Sequence, residues 1–316
     1  MPRILNTVEA VREAHQLILK ESPHNILVGE GIPDPKGCFG TTLDLHKEFP
    51  GQVFDTPISE AGMTGICIGA SLLQVKPILI HMRQDFLMYA MDQLVNNAAK
   101  WHSMFGGNAG SVPLVIKAFT GRGWGSGHQH SQNFESLLSH IPGLKVVIPS
   151  TPYNAKGLLF AAHRDPNPVI ILEHRWIHHL KGEVPSGVYE VPIGKANIIR
   201  KGNSHIGVIT WGINVSESLK HCDPNHSILD LQSLSPIDWD ALIAFCEGKI
   251  KVEVIADSWQ SCNIAYEIAH KLNNYCDEVR VTALNNFYPG SSKALQTDYY
   301  AFPCSDVPDK SFVGPF

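Results

Sequence analysis

Apolar positions along this chain follow two rhythms that alternate. Short runs rich in Val, Ile and Leu stand at residues 26–28, 53–54, 77–81, 112–117, 145–148 and 168–172, each with the length of a buried strand. Between them, residues 60–73, 85–105, 132–140 and 153–164 carry helical or glycine-rich helical patterns. Strands that are apolar throughout and alternate with helices predict a mainly parallel sheet covered on both faces. Functional residues should then lie in loops at the carboxyl ends of the strands. Near the start, Asn6 is placed as an N-cap with Glu9 three positions on, and Ile4, Val8, Val11 and Leu17 are the inward positions of that helix. Residues 181–194 hold three Gly and two Pro without helical period and predict a connector. Beyond it the rhythm restarts, with strands at 206–211, 227–231, 251–256 and 279–284 and helices at 215–221, 238–247 and 262–273. The stretch from Tyr288, rich in Pro, Ser and Asp, is expected to run over a surface. The pattern predicts an α/β protein of two units, residues 1–181 and 195–316, joined by a linker at 182–194.

Composition narrows the function classes. The chain has 316 residues, 44% of them hydrophobic, and its 30 acidic and 25 basic residues give a net charge of −5. Without charge blocks, this balance argues against a nucleic-acid or membrane-surface partner. No apolar run approaches the ~18 residues of a membrane-spanning helix. Seven scattered cysteines with no Cys-x-x-Cys pair are expected to be reduced thiols of a cytoplasmic protein. The N-terminus lacks a continuous apolar core and carries Glu9 and Glu13, unlike a signal peptide.

Three segments carry candidate chemistry. In residues 55–69 (DTPISEAGMTGICIG), Ser59 is placed to cap a helix that Glu60 opens, and Gly62, Gly65 and Gly69 fall near one face. Three such glycines cost roughly 2–3 kcal/mol of helix propensity against alanine, which is tolerable when another backbone must come very close. Glu60 alone is equally a first-turn acid favourable to the helix dipole. Residues 121–132 (GRGWGSGHQHSQ) form a glycine-rich loop with His128 and His130. It matches neither the phosphate-loop nor the Gly-x-Gly-x-x-Gly pattern, so a mobile loop with a catalytic histidine and a structural turn both stay open. Residues 85–105 offer Phe86, Ala90, Leu94, Ala98 and Trp101 as an inward stripe. His174, His178 and His179 are expected in a solvated loop. No Gly-x-Ser-x-Gly elbow occurs, so serine nucleophile chemistry is not supported.

Taken together these segments resemble the beta subunits of thiamine-diphosphate-dependent 2-oxo-acid dehydrogenases, the decarboxylating component. The resemblance rests on DTPISE with the glycine helix, DF…MDQLVNNAAK (85–100), Gly106-Gly107 and VPLVIK. It continues through the 121–132 loop, HIPGLKVVIPSTPYNAKGLL (140–159) and PVIILE (168–173). It is strongest over residues 4–175 and thins beyond 255. It implies two parallel-sheet α/β domains, a pyrimidine-binding domain followed by a transketolase C-terminal-like domain.

In that family Glu60 matches the carboxylate that hydrogen-bonds a pyrimidine nitrogen, favouring the imino tautomer that takes the thiazolium proton. To donate there Glu60 must hold a proton, which requires a water-poor setting. Phe86 matches the aromatic packed on the pyrimidine, Met82 and Glu30 match neighbours of the cofactor, and His130 matches the loop histidine that handles protons beside the substrate. Leu114, Ala162, His163, Asp165 and Asn167 stand where the family holds a structural potassium ion. No Gly-Asp-Gly occurs in the chain. The diphosphate and its Mg2+ should therefore be bound mainly by an alpha subunit carrying Gly-Asp-Gly…Asn, in an α2β2 assembly that serves a lipoyl acyltransferase or another acyl acceptor.

Departures from the family bear on substrate. Lys117, Phe119 and Arg122 to Trp124 replace an arginine, a proline and an alanine-rich loop, and Tyr89 replaces a glutamine. The segment 82–85 (MRQD) is more polar than usual, Asp257-Ser258 replaces an acidic pair, and the usual closing helix is absent. Alternatives are a transketolase-like carboligase, a non-catalytic partner subunit, or a nucleotide-binding protein using the 121–127 loop.

Overall fold

Capping chemistry fixes the first elements. In the computed structural model, which describes residues 3–122 and 124–284, strand β1 (Arg3–Asn6) runs into helix α1 (Thr7–Glu21), where Asn6 and Glu9 close a reciprocal capping box. Ala10, Val11, Ala14, Ile18 and Leu19 form its buried stripe. Ile4 is exposed because it belongs to β1 and not to the helix, a correction to the predicted inward set.

Strands and helices then alternate. They are β2 (Asn25–Gly29), α2 (Leu45–Glu48), β3 (Val53–Asp55), α3 (Glu60–Leu72), β4 (Lys76–His81), α4 (Gln84–Leu87), α5 (Trp101–Met104), β5 (Val115–Thr120), α6 (Glu135–Ser139), β6 (Lys145–Val147), α7 (Pro152–Arg164) and β7 (Val169–His174). After β8 (Lys181–Val184) and β9 (Asn197–Arg200) come β10 (Ile206–Thr210), α8 (Ile213–His221), β11 (Ser227–Asp230), β12 (Ser233–Ser235), α9 (Trp239–Cys246), β13 (Lys251–Trp259), α10 (Ile264–Leu272) and β14 (Glu278–Leu284).

The first sheet has the order β12-β6-β7-β5-β4-β2-β3, parallel except for β12. The second is β14-β13-β10-β11-β9, parallel except for β9. Alternate residues of the central strands β2, β4, β5, β6 and β7 enter two different cores: Ile78 and Ile80 pack on the α1 and α7 side, Leu79 on the other. That is why these strands show no polar face. The core containing Leu79 also holds Trp211, Leu229 and Val254, so apolar packing is continuous from the first unit into the second.

Three features differ from the sequence reading. The predicted helix 85–105 is broken into α4, a 3₁₀ turn (Met88–Ala90), a π-helical stretch (Gln93–Ala98) and α5. The connector opens as β8, antiparallel to β1, and β12 crosses from the second unit to pair with β6. Cys38, Cys67, Cys246, Cys262 and Cys276 are free, but Cys222 is in a disulfide, a contact made by folding that linear spacing does not report. Among the described residues no helix is long and apolar enough to cross a membrane. The stretch from Tyr288 lies outside them.

Candidate active site

The carboxyl ends of β2, β4, β5 and β7 converge on one rim of the first sheet, as a parallel α/β sheet requires. A Cβ at Gly29 would lie 2.6 Å from the Ile80 carbonyl oxygen, so a glycine lets β2 end tightly against β4 and deliver Glu30 to that rim. Burial raises the Glu30 pKa, and the charges of Glu60 and Asp55 push the same way. The Gly31 N–H donates to Asp55 at 2.9 Å. Glu60 is half-buried in the first turn of α3. Ser59 precedes it at the N-cap position, but its hydroxyl makes no capping bond, contrary to the sequence expectation. Within the chain, Glu60 thus has the acid Glu30 as a charged neighbour.

Phe86 and His130 are 44 residues apart in sequence, yet their rings meet edge to face at 5.0 Å between centroids. Tyr89 lies nearly parallel to Phe86 at 6.5 Å. Two bonds hold the histidine loop to this element: the backbone N–H and the side-chain amide of Gln132 donate to Asp85 Oδ1 at 3.1 and 3.0 Å. Arg83 extends the frame, with Nε 3.6 Å from Asp85 Oδ2 and Nη2 donating to the Gly121 carbonyl at 2.9 Å. Among the described residues His130 Nδ1 is buried with no hydrogen-bond partner. Met82 is half-buried and packs against the α1-side core. Among the described residues no group of three His, Cys, Asp or Glu side chains could hold a metal ion.

His174 and His178 are buried, which corrects the solvated-loop expectation. His178 Nε2 meets Glu173 at 2.6 Å, and Lys117 meets the other Glu173 oxygen at 3.2 Å. Burial alone would raise the Glu173 pKa, but Lys117 and His178 hold it at about 2. His174 Nδ1 accepts the Trp176 N–H at 3.1 Å. Burial, with Arg122 next, keeps its pKa well below the usual imidazole range.

A second polar cluster, invisible in sequence, lies behind the loop. Glu135 accepts from Trp211 Nε1 at 2.9 Å and from the Ser258 hydroxyl at 2.7 Å. Arg122 pairs with Asp257. Trp211, Asp257 and Ser258 belong to the second unit, so these bonds clamp the two units beside the rim. Burial pushes the Glu135 carboxyl up to about 7 despite its donors.

Of the five positions matched to potassium, two have backbone carbonyls that accept a bond within the chain. Leu114 and Ala162 carbonyls accept the Val169 and Asp165 N–H groups at 3.0 and 3.3 Å. The Asp165 carboxylate accepts the Asn167 N–H at 2.9 Å and pairs with Lys145. His163 is held near pKa 4 by burial, with Lys76 and Arg164 adding to the shift.

Comparisons with known proteins agree with this architecture. The family described as "Transketolase, pyrimidine binding domain" matches residues 4–177, and "Transketolase, C-terminal domain" matches residues 194–303. The beta subunit of acetoin:2,6-dichlorophenolindophenol oxidoreductase from Cupriavidus necator is 38% identical over 285 residues, covering 85% of this chain and 84% of that protein. The beta subunit of 2-oxoisovalerate dehydrogenase from Bacillus subtilis is 34% identical over 281 residues, covering 86% and 85%. The pyruvate dehydrogenase E1 component subunit beta of Porphyra purpurea is 36% identical over 276 residues, covering 84% and 82%. A solved chain described as "Split gene transketolase, inactive beta4 tetramer" shares the fold, with a TM-score of 0.76 at 19% identity over 93% of both chains. The chain therefore belongs to the family of transketolase-type beta subunits of thiamine-diphosphate-dependent 2-oxo-acid dehydrogenases, the decarboxylating E1 components.

Proposed function

We propose that this chain supplies the pyrimidine-binding half of a thiamine-diphosphate site, completed by an alpha subunit with a Gly-Asp-Gly…Asn diphosphate site, in an α2β2 enzyme that decarboxylates a 2-oxo acid and transfers the acyl group. The acceptor is a lipoyl domain or another acyl acceptor, and the Mg2+ is held mainly by the alpha subunit. The observation that carries the reading is the Phe86–His130 pair, held by the Gln132–Asp85 bonds, with His130 Nδ1 left unpartnered.

The residues fit the cofactor's pyrimidine end: an aromatic face, a half-exposed carboxyl group and, among the described residues, a ring nitrogen without a partner lie beyond the strand ends. When bound, thiamine diphosphate supplies the carbon nucleophile and the sink for the electron pair released with CO2. Glu60 would donate a hydrogen bond to a pyrimidine nitrogen once the alpha subunit covers its half-exposed carboxyl. Phe86 and Met82 orient the ring, and Glu30 adds a second acid beside Glu60. His130 moves a proton at the substrate oxygen through its ring nitrogens.

Glu60→Gln tests the reading. It keeps size and hydrogen bonding but offers no transferable carboxyl proton. Turnover by the assembled enzyme should fall about 10²- to 10⁴-fold while the assembly elutes unchanged on gel filtration. Unchanged turnover would leave a scaffold role as the better account.

A further inference from the structure

The loops after β4, β5 and β7 hold more positive charge than this reading uses. Arg83, Arg122 and Arg175 all lie there, together with Trp124 and Trp176. Arg83 stands beside Asp85, and Arg122 pairs with Asp257. Arg175 has no such acid. Among the described residues its guanidinium makes no ion pair or hydrogen bond, and its Nε is buried.

Its faces are nonetheless covered. The guanidinium carbon lies 3.9 Å from the Phe39 ring centroid and 4.4 Å from that of Trp124. Phe39 holds its place with a φ of 51°, a left-handed conformation that a bulky side chain adopts only under constraint. Its ring is wedged edge-on against Phe119 at 4.9 Å. Stacking satisfies the π faces of a guanidinium but none of its five N–H donors, which radiate in its plane. Arg175 is therefore held against two rings, and among the described residues its hydrogen-bonding edge is unused. Burial and then the nearby charge of Arg83 both disfavour its charged form. Two poorly solvated like charges do nothing for the fold by themselves, and an anion at Arg175 would relieve their repulsion.

The place adjoins the loop that carries His130, since Arg175 packs against Trp124 of that loop. Arg83 bonds the Gly121 carbonyl, where the loop that carries His130 begins, and Asp85 anchors that loop at Gln132. Trp124, on the same loop, packs against Trp176 at 6.0 Å. We propose that Arg175, backed by Arg83 and clamped by Phe39 and Trp124, binds a carboxylate or phosphate that the substrate carries away from its reacting carbonyl. The enzyme then takes an anion-bearing oxo acid or aldehyde in preference to a purely aliphatic one. This rests on the proposed function, because it places the reaction beside Phe86 and His130.

The test uses the alpha–beta assembly loaded with thiamine diphosphate and Mg2+. Donors are compared as 2-oxoglutarate against pyruvate and 2-oxoisovalerate by CO2 release, and acceptors as glyceraldehyde 3-phosphate against glyceraldehyde by product formation. The two arms separate a carboxylate from a phosphate source. In one arm the member that carries the additional anionic group should lead the member without it in kcat/KM. Arg175→Met should collapse that ratio by about 10- to 100-fold, chiefly through KM, as expected for loss of charge-assisted bonds. Arg175→Lys should restore part of it. Separately, inorganic phosphate titrated against the tryptophan fluorescence of the full chain should saturate for the unmodified protein and not for Arg175→Met.

Equal kcat/KM within both arms, or a preference that Arg175→Met leaves intact, overturns the proposal even when the cofactor binds and turns over. Phosphate binding that vanishes on assembly also overturns it, assigning Arg175 to an acid of the partner. Failure of the assembly to bind cofactor would instead sink the proposed function, and the phosphate titration would still decide whether Arg175 holds an anion.

Discussion

Glu135 shows how a single carboxyl group can be well bonded and still resist ionisation. Two hydrogen bonds from the second unit reach it, yet enclosure raises its pKa from 4.5 to about 7. A carboxyl pKa raised by folding stabilises the protein fully below the unfolded value. That contribution fades as pH climbs from about 4.5 to about 7 and is gone above. At about 1.4 kcal/mol per unit, the fade between pH 5 and 8 amounts to roughly 2–3 kcal/mol. Glu135→Gln keeps an acceptor for Trp211 and cannot ionise. In urea unfolding its stability relative to the unmodified protein should improve by about that amount from pH 5 to pH 8. Asp230, also raised to about 7 by burial, slopes both proteins alike. Parallel pH profiles for the two would show that Glu135 does not carry this proton. The hydrogen bonds that give Glu135 this behaviour span 76 and 123 residues, so no local motif announces it. The motifs singled out Glu60, Phe86 and His130, the residues of the proposed site, whereas Arg175 sits in a stretch that looks like a solvated histidine loop.

Helix α3 poses the corresponding question for an element. Thr64, Cys67, Ile68 and Ser71 turn inward, while Gly62 and Gly69 face outward alongside Ile66 and Leu73, the last 78% exposed. A Cβ at Gly69 would meet nothing within 4 Å, so nothing within the described chain requires a glycine there. In an exposed helix it costs about 1 kcal/mol against alanine. The close approach expected from the glycine spacing is therefore not to this chain's own described backbone, which is consistent with the proposed subunit contact. Gly69→Ala should raise the stability of the lone chain by about 0.5–1 kcal/mol. Gly69→Leu should leave the lone chain folded by circular dichroism but prevent co-elution with the alpha subunit; intact co-elution would remove α3 from the interface. Legibility of elements follows burial. Strands β2, β4 and β7 were readable because both their faces are apolar. In contrast β1, β8, β9 and β12 are short edge strands whose antiparallel partners lie far off in sequence. The π-helical stretch was hidden because one extra residue per turn barely disturbs an apolar stripe.

At the scale of the molecule, the two units act as one frame. They share a core, β12 closes the first sheet from the second unit, and the Arg122–Asp257 and Glu135–Ser258 contacts sit at the join. A rigid frame of this kind can present half a site accurately without the other half. The rim at Glu60 is acidic, since Glu30, Asp55 and Glu60 gather there; burial first, and then the other two acids, raise the Glu30 pKa. Such a rim accepts a neutral pyrimidine but repels a diphosphate, whose charge must be met by a divalent ion and donors on the proposed alpha subunit. A sharp expectation results. The lone chain should bind thiamine and thiamine diphosphate with similar, weak affinity in the presence of Mg2+. The assembly should prefer the diphosphate by at least about 100-fold, the worth of two charge-assisted hydrogen bonds. Calorimetric titration of both compounds into both preparations measures this directly. A lone chain that binds the diphosphate tightly and discriminates against thiamine would mean that it holds its own diphosphate site, and the division of labour between subunits would have to be abandoned.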